Sequence, residues 1–199
     1  MGTDDTTTPG NELNCIDFAH CPTAKSETLQ GEIHEKIEKY LHNSKPTVKL
    51  QEKNSMSQVS ALFHIVINTH ERLQTIPIES RRIIYKHIYE LLTKHNCKLL
   101  RMNGTTNHIH MLIDLHPSIA LSNLIGEIKR ETSLWIKHNA IAPDFRGWGR
   151  EFYAFSLSKD RTDSVIEYIK NQLEHHKFVS YEDEMMQICV NEGADFFET

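Results

Sequence analysis

The 199-residue chain has no apolar run near the roughly 20 residues that a membrane-spanning helix needs. Its first residues, Met1 to Gly10, are polar and acidic, unlike a signal peptide. The expected address is therefore cytoplasmic, with no membrane partner. Cysteine is scarce. Cys15, Cys21, Cys97 and Cys189 form no C-x-x-C pair and no dense framework, so free thiols are the reading. Cys15 and Cys21 with His20 are wrongly spaced for the common zinc sites. No internal repeat is present. A strong charge of one sign is also missing, since the net charge is −5. That total hides an asymmetry. Residues 1–56 carry 6 Lys/Arg against 9 Asp/Glu, residues 57–178 carry 16 against 12, and residues 179–199 carry 0 against 6. The mildly basic middle holds ten of the 13 histidines. It is compatible with a nucleic acid partner, and equally with an ordinary solvated surface.

What is present suits one compact domain plus an appendage. Residues 1–24 are polar and loosely held, with Thr6-Thr7-Thr8-Pro9-Gly10 among them. Residues 26–43 follow a helical period, with Leu29, Ile33, Ile37, Tyr40 and Leu41 on one stripe. Ser44-Lys45-Pro46 ends that helix, and residues 44–57 form a linker. From Ser57 the pattern changes. Residues 61–68 (ALFHIVIN) read as a buried strand. A helix over 79–95 follows, with Ile84, Ile88, Leu91 and Leu92 on its apolar face. Strands over 97–103 and 107–115 flank Gly104-Thr105-Thr106 as a hairpin. A helix over 121–139 turns Leu124, Ile125, Ile128 and Trp135 inward. A fourth strand over 151–158 leads to a helix over 163–176, with Thr162 or Asp163 as N-cap. The tail after Phe178 is acidic and partly helical at best. The expected fold is α+β: a ferredoxin-like (RRM-like) βαββαβ antiparallel sheet with an extra C-terminal helix bearing Tyr168. The domain boundaries fall at 1–55 for the extension, 56–184 for the folded domain and 185–199 for the tail.

Two segments carry candidate chemistry. In Asn107-His108-Ile109-His110-Met111-Leu112-Ile113-Asp114, alternate side chains share a face. Ile109, Met111 and Ile113 point into a core, while His108 and His110 sit side by side on the other face. Two imidazoles so placed chelate a divalent ion. A polar sheet face without a ligand looks the same. On the last helix, at about 100° per residue, Val165, Ile166, Ile169 and Leu173 share one arc, and Tyr168, Gln172 and His175 share a second. An amphipathic surface helix with a boundary tyrosine also fits. The two segments together make chemical sense. A phenol with a pKa near about 10 is a weak nucleophile at neutral pH, and a bound cation polarises a phosphodiester for attack. Gln172, one turn after Tyr168, offers an amide oxygen as a third ligand.

Asn107 to His110 on a strand, with Tyr168-Ile169-Lys170-Asn171-Gln172 on a later helix, resembles the single-tyrosine HUH transposases of bacterial insertion sequences. Phe63-His64-Ile65-Val66 is similar to the family's first strand. Lys129-Arg130 sits where the family carries a basic residue, and 148–158 resembles the aromatic strand before the tyrosine helix. His175-His176 extends the tyrosine motif. The resemblance covers about residues 57–184. Asn68-Thr69-His70-Glu71-Arg72 lacks the lysine that often precedes the family's arginine, and residues 1–55 have no counterpart.

The resemblance implies that His108, His110 and Gln172 hold Mg²⁺ or Mn²⁺. It implies that Tyr168 attacks single-stranded DNA at hairpin-bearing element ends, forming a 5′-phosphotyrosine and a free 3′-OH. A second DNA end reverses the reaction. The family works as a homodimer, and its tyrosine helix can serve the partner's histidines. Lys129, Arg130, Arg146 and Arg150 are candidate phosphate contacts. His175 and Asn107 are possible supporting residues. Histidine-triad hydrolases need a third alternating histidine, and position 112 is leucine. H-x-H amidohydrolases need a barrel of about 250 residues. Two alternatives remain: a catalytically silent or domesticated hairpin-binding descendant, and an interaction module that docks through the helix over 26–43.

Overall fold

A computed structural model describes residues 59–194 of the chain. The N-terminal extension, its helix over 26–43, the linker and Cys15, His20 and Cys21 lie outside the described residues. The described elements run β1 (Leu62–Asn68), α1 (Arg81–Lys94), β2 (Lys98–Gly104), β3 (His108–Asp114), α2 (Leu121–His138), β4 (Tyr153–Leu157), α3 (Thr162–Lys170), α4 (Gln172–His175) and α5 (Tyr181–Glu192). The sheet order is β2-β3-β1-β4, with every neighbouring pair antiparallel. This is the expected βαββαβ fold. Among the described residues, no helix is long and apolar enough to cross a membrane.

Strand alternation divides the sheet into two different faces. Ile65 and Ile67 of β1 and Ile109, Met111 and Ile113 of β3 enter the main core. There they meet Ile84, Ile88 and Leu92 of α1 and Leu124, Ile125, Ile128 and Ile136 of α2. Trp135 packs on the edge of this core, stacked on His87 at 4.4 Å between ring centroids, and Ile136 takes the fully buried place. The opposite face carries His64, Val66, His108, His110 and Leu112, all buried. Leu112 packs with Val165 and Ile169 of α3, and Val66 and Phe155 pack with Tyr181, Met185 and Cys189 of α5. Helices therefore cover both faces.

Two backbone features place side chains for the site. β2 shifts register between Leu99 and Arg101 against β3. That bulge keeps both Leu99 and Met102 in the main core and turns Asn103 to the histidine face. The hairpin then closes tightly: a Cβ on Gly104 would lie 2.1 Å from the His108 carbonyl oxygen, so only glycine fits there.

The C-terminal third departs from expectation in three ways. The predicted helix over 163–176 is divided at Asn171, where Asn103 Nδ2 donates to the Lys170 carbonyl oxygen at 2.9 Å and satisfies a group at the helix end. Neither Thr162 nor Asp163 caps that helix; Arg161 holds the N-cap position and its side chain makes no capping bond. Among the described residues the acidic tail is largely helical: α5 runs straight through the expected boundary at 184/185. Ser180 Oγ accepts from Asp183 N–H at 3.1 Å and Gly193 ends the helix at φ 66°, so both ends are capped. Arg161 pairs with Glu192 through two contacts of 2.9 and 2.5 Å. Arg72, at φ 56°, lies 5.3 Å over the Tyr181 ring and 3.3 Å from Glu182. Such solvent-facing pairs contribute only about 0.2–1 kcal/mol each. Burial of Tyr181, Met185 and Cys189 holds α5 more firmly, at about 1.5–3 kcal/mol for a Met-sized side chain.

Candidate active site

β3 presents His108 and His110 toward the helices α3 to α5, and each is fully buried. Neighbouring groups fix both rings. His108 Nδ1–H donates to Asn107 Oδ1 at 2.7 Å, with Thr105 Oγ1 at 2.9 Å. His110 Nδ1 meets His64 Nε2 at 2.9 Å. His64 pairs with Leu112 across the β1–β3 ladder, which sets it diagonal to His110. Burial first, then His110 nearby, pushes the His64 ring down to about 3, so it stays neutral. One of these two nitrogens donates and the other accepts, so the pair is joined by a single hydrogen bond. A third imidazole joins them: His176 Nδ1–H donates to the Val179 carbonyl oxygen at 2.9 Å. All three rings thus commit Nδ1 to a hydrogen bond and turn Nε2 inward.

Glu184 of α5 stands where they converge, with 1% exposure. Its Oε2 lies 3.0 Å from His176 Nε2, 3.4 Å from His110 Nε2 and 3.5 Å from His108 Nε2. Its Oε1 accepts from the Tyr168 hydroxyl in a very short contact and from Gln172 Nε2 at 2.8 Å. Gln172 Oε1 turns toward His108 Nε2 at 3.4 Å. The ligand atoms of His108, His110, His176 and Glu184 all lie within 4.8 Å of one another.

The charge balance of this cluster is unusual. Burial works to raise the Glu184 carboxyl, but His110, His176 and His108 outweigh it and hold the group far below the usual carboxylate range. Burial, reinforced by His110, keeps His108 well below its ordinary value and therefore neutral. Burial and then the Glu184 charge push the Tyr168 phenol far above its ordinary value. His110 Nε2 is buried and makes no hydrogen bond. Each contact with Glu184 Oε2 is favourable where the ring carries a proton at Nε2; a neutral ring with its proton on Nδ1 presents a lone pair there, and a cation among the groups removes that repulsion. The donor set of imidazole nitrogens, a carboxylate and an amide oxygen suits a divalent metal.

The profile described as "Transposase IS200 like" matches residues 55–172, more than half of the chain. The chain belongs to the IS200-like transposase family. Over 120 residues this transposase is 29% identical to the transposase for insertion sequence element IS200 of Salmonella typhimurium, covering 58% of this chain and 78% of the relative. The corresponding protein of Salmonella typhi matches at the same 29% identity over 120 residues. Two solved structures are also similar. A Deinococcus radiodurans protein described as a transposase is 15% identical, with a TM-score of 0.48 over 61% of this chain and 98% of that one. A REP-associated tyrosine transposase bound to a REP hairpin is 14% identical, with a TM-score of 0.47 over 66% of this chain and 76% of that one.

Not every sequence-nominated residue lies in the cluster. His108, His110, Tyr168 and Gln172 come together, and Asn107 supports His108. His175 sits beside Tyr168, with ring centroids 5.4 Å apart, and its Nε2 stays 3.7 Å from Glu184. Lys129 and Arg130 lie on α2, which packs on the other face of the sheet. Lys129 Nζ donates to the Arg150 and Glu151 carbonyl oxygens at 3.0 and 2.8 Å, so it ties α2 to the strand ahead rather than standing free. Arg130 pairs with Glu131 at 2.8 Å on the surface. Arg146 and Arg150 are exposed on a loop whose Gly149 N–H donates to the Asn68 carbonyl oxygen at 2.7 Å, at the sheet end where His108 pairs with Asn68.

Sequence reasoning passed over Glu184 and His64 and gave His176 no role of its own. Signals for two of them exist. Ser180-x-x-Asp183 with Tyr181, Met185 and Cys189 marks a capped amphipathic helix that carries Glu184 inward. His64 is a polar residue inside the otherwise apolar run from Leu62 to Ile67.

Proposed function

We propose that this transposase cleaves and rejoins single-stranded DNA at hairpin-bearing element ends, through a 5′-phosphotyrosine on Tyr168. The observation that supports the reading is the contact of the Tyr168 hydroxyl with the same carboxylate that faces His108 and His110. A nucleophile and a cluster fit for a metal are thereby joined within one chain. His108, His110 and Gln172 hold Mg²⁺ or Mn²⁺ in this reading. A bound ion would supply positive charge to polarise the scissile phosphate.

The chain's own groups do the rest. Glu184 and the α3–α4 junction orient the phenol. Tyr168 Oη gives up its proton and bonds to phosphorus as the P–O3′ bond breaks, and the leaving 3′-oxygen takes up a proton and departs as a hydroxyl, so one proton is released and one is consumed. Attack by a second 3′-OH reverses these changes and restores the phenol. Bond energy is conserved in the phosphotyrosine, so strand exchange requires no ATP. Arg146 and Arg150, beside the histidine end of the sheet, are the better placed phosphate contacts. The catalytic unit extends from about residue 56 through α5, and the working form is a homodimer.

The direct test is a denaturing gel. The transposase with Mn²⁺ or Mg²⁺ and labelled hairpin DNA from its element ends is expected to form a protein–DNA band that survives boiling in SDS. Hairpin binding without such a band under either ion would favour the catalytically silent, domesticated reading. The same assay tests placement of the nucleophile. Tyr168 lies with ring centroids 5.9 Å from His110 of its own chain. A mixture of Tyr168→Phe and His108→Ala/His110→Ala proteins is therefore expected to stay inactive. Recovered covalent product in the mixture would place the tyrosine in trans.

A further inference from the structure

We propose that Glu184 and His176 are ligands of the metal site, with Glu184 Oε2 facing the ion and Oε1 holding the Tyr168 hydroxyl. This rests on the metal-dependent tyrosine reading above and extends it. Both residues lie beyond Gln172, where the family match ends, so the additional ligands come from this chain's own C-terminal segment.

The distances fit a shared centre. Ligands about 2.1 Å from an ion stand about 3.0 Å apart when adjacent in an octahedron and about 3.4 Å apart in a tetrahedron. Glu184 Oε2 stands 3.0, 3.4 and 3.5 Å from the Nε2 atoms of His176, His110 and His108. The 3.0 Å contact with His176 is within hydrogen-bond reach, and the 3.4 and 3.5 Å contacts with His110 and His108 are longer than a charge-assisted hydrogen bond. His176 and His108 donate their Nδ1 protons elsewhere, to Val179 and Asn107, so a neutral ring offers only a lone pair at Nε2. One proton could relieve one contact. It leaves the others acceptor against acceptor, and His110 Nε2 already lacks any hydrogen-bond partner. The carboxylate is buried, and among the described residues its ion-pair partners are all imidazoles. A cation at the convergence answers each of these points at once. It also explains the split use of the carboxylate: Oε2 serves His108, His110 and His176, and Oε1 serves Tyr168 and Gln172. Glu184 then sets the distance between nucleophile and metal.

The test is metal affinity. Full-length protein stripped with chelator is titrated with Mn²⁺, followed by calorimetry and by the Mn²⁺ paramagnetic resonance signal. Glu184→Gln keeps size and shape and removes the charge. It is expected to weaken Mn²⁺ binding about tenfold or more, as is His176→Ala, while Tyr168→Phe binds the ion like the unaltered chain. Circular dichroism of the metal-free proteins establishes that the variants fold. Should Glu184→Gln fail to fold, Glu184→Asp is judged by the same criterion. If Glu184→Gln keeps full affinity while His108→Ala/His110→Ala loses it, Glu184 is no ligand and the reading in the previous section survives. If the double histidine variant binds Mn²⁺ normally, that reading falls as well. Loss of Glu184 that instead raises the yield of covalent DNA adduct would overturn the proposal and make α5 a cover over the site.

Discussion

Tyr168→Phe is expected to abolish covalent DNA attachment while leaving hairpin binding intact. The substitution removes one oxygen, and that oxygen is the proposed nucleophile. No neighbouring group replaces it: His175 stands beside Tyr168, and Glu184 is enclosed by imidazoles. Loss of an obligate nucleophile costs about 10³-fold or more, so the SDS-resistant band should vanish. The fold should persist. The hydroxyl gives a single hydrogen bond to Glu184, and the carboxylate keeps Gln172 and His176. The expected cost is about 1–2 kcal/mol, a fall of about 3–8 °C in Tm. Binding by mobility shift, adduct by denaturing gel and Tm by calorimetry separate these effects. An unchanged adduct yield would remove Tyr168 from the nucleophile role. Lost hairpin binding would make it a structural or DNA-contact residue.

The second large effect is on metal dependence. EDTA is expected to stop cleavage, and added Mg²⁺ or Mn²⁺ to restore it. The same ion should stabilise the fold, because the convergent lone pairs exist in the folded chain and not in the unfolded one. At a hundredfold excess over Kd the stabilisation is about 2.7 kcal/mol, a rise of about 10 °C in Tm for a domain of this size. His108→Ala/His110→Ala should lose both the rise and the cleavage. Cleavage that continues in chelator would remove the metal role of both histidines. A Tm rise that survives in the double variant would locate the ion elsewhere.

The strand–helix order and the histidine strand were legible because their signals are periodic and local. Ile109, Met111 and Ile113 do enter the core, and the alternation that buries them must turn His108 and His110 the other way. Tyr168 and Gln172, four residues apart on one helical edge, do reach the same site. The same logic failed where contacts from distant residues intervene. The continuous periodicity over 163–176 gives no sign of the break at Asn171, because Asn103 of β2 takes up the Lys170 carbonyl. Spacing along α2 likewise gives no sign that the Lys129 ammonium, a candidate phosphate contact, is engaged by carbonyl oxygens 21 and 22 residues away.

By itself, then, the sequence determined the α+β class, the two sheet faces, the family and the group of His108, His110, Tyr168 and Gln172. Each of these follows from spacing along one element or from a linear motif. Tertiary structure alone decided what stands opposite that group. The β2 bulge aims Asn103 at α3, His64 reaches His110 across a strand pair, and α5 folds back to bring Glu184 among the imidazoles. Those partners lie 46 residues apart for His64 and His110, and 16 for Tyr168 and Glu184. No local period encodes such separations. They are set by which apolar faces must be buried together: Val66 and Phe155 need Tyr181, Met185 and Cys189, and satisfying that need carries Glu184 into the site.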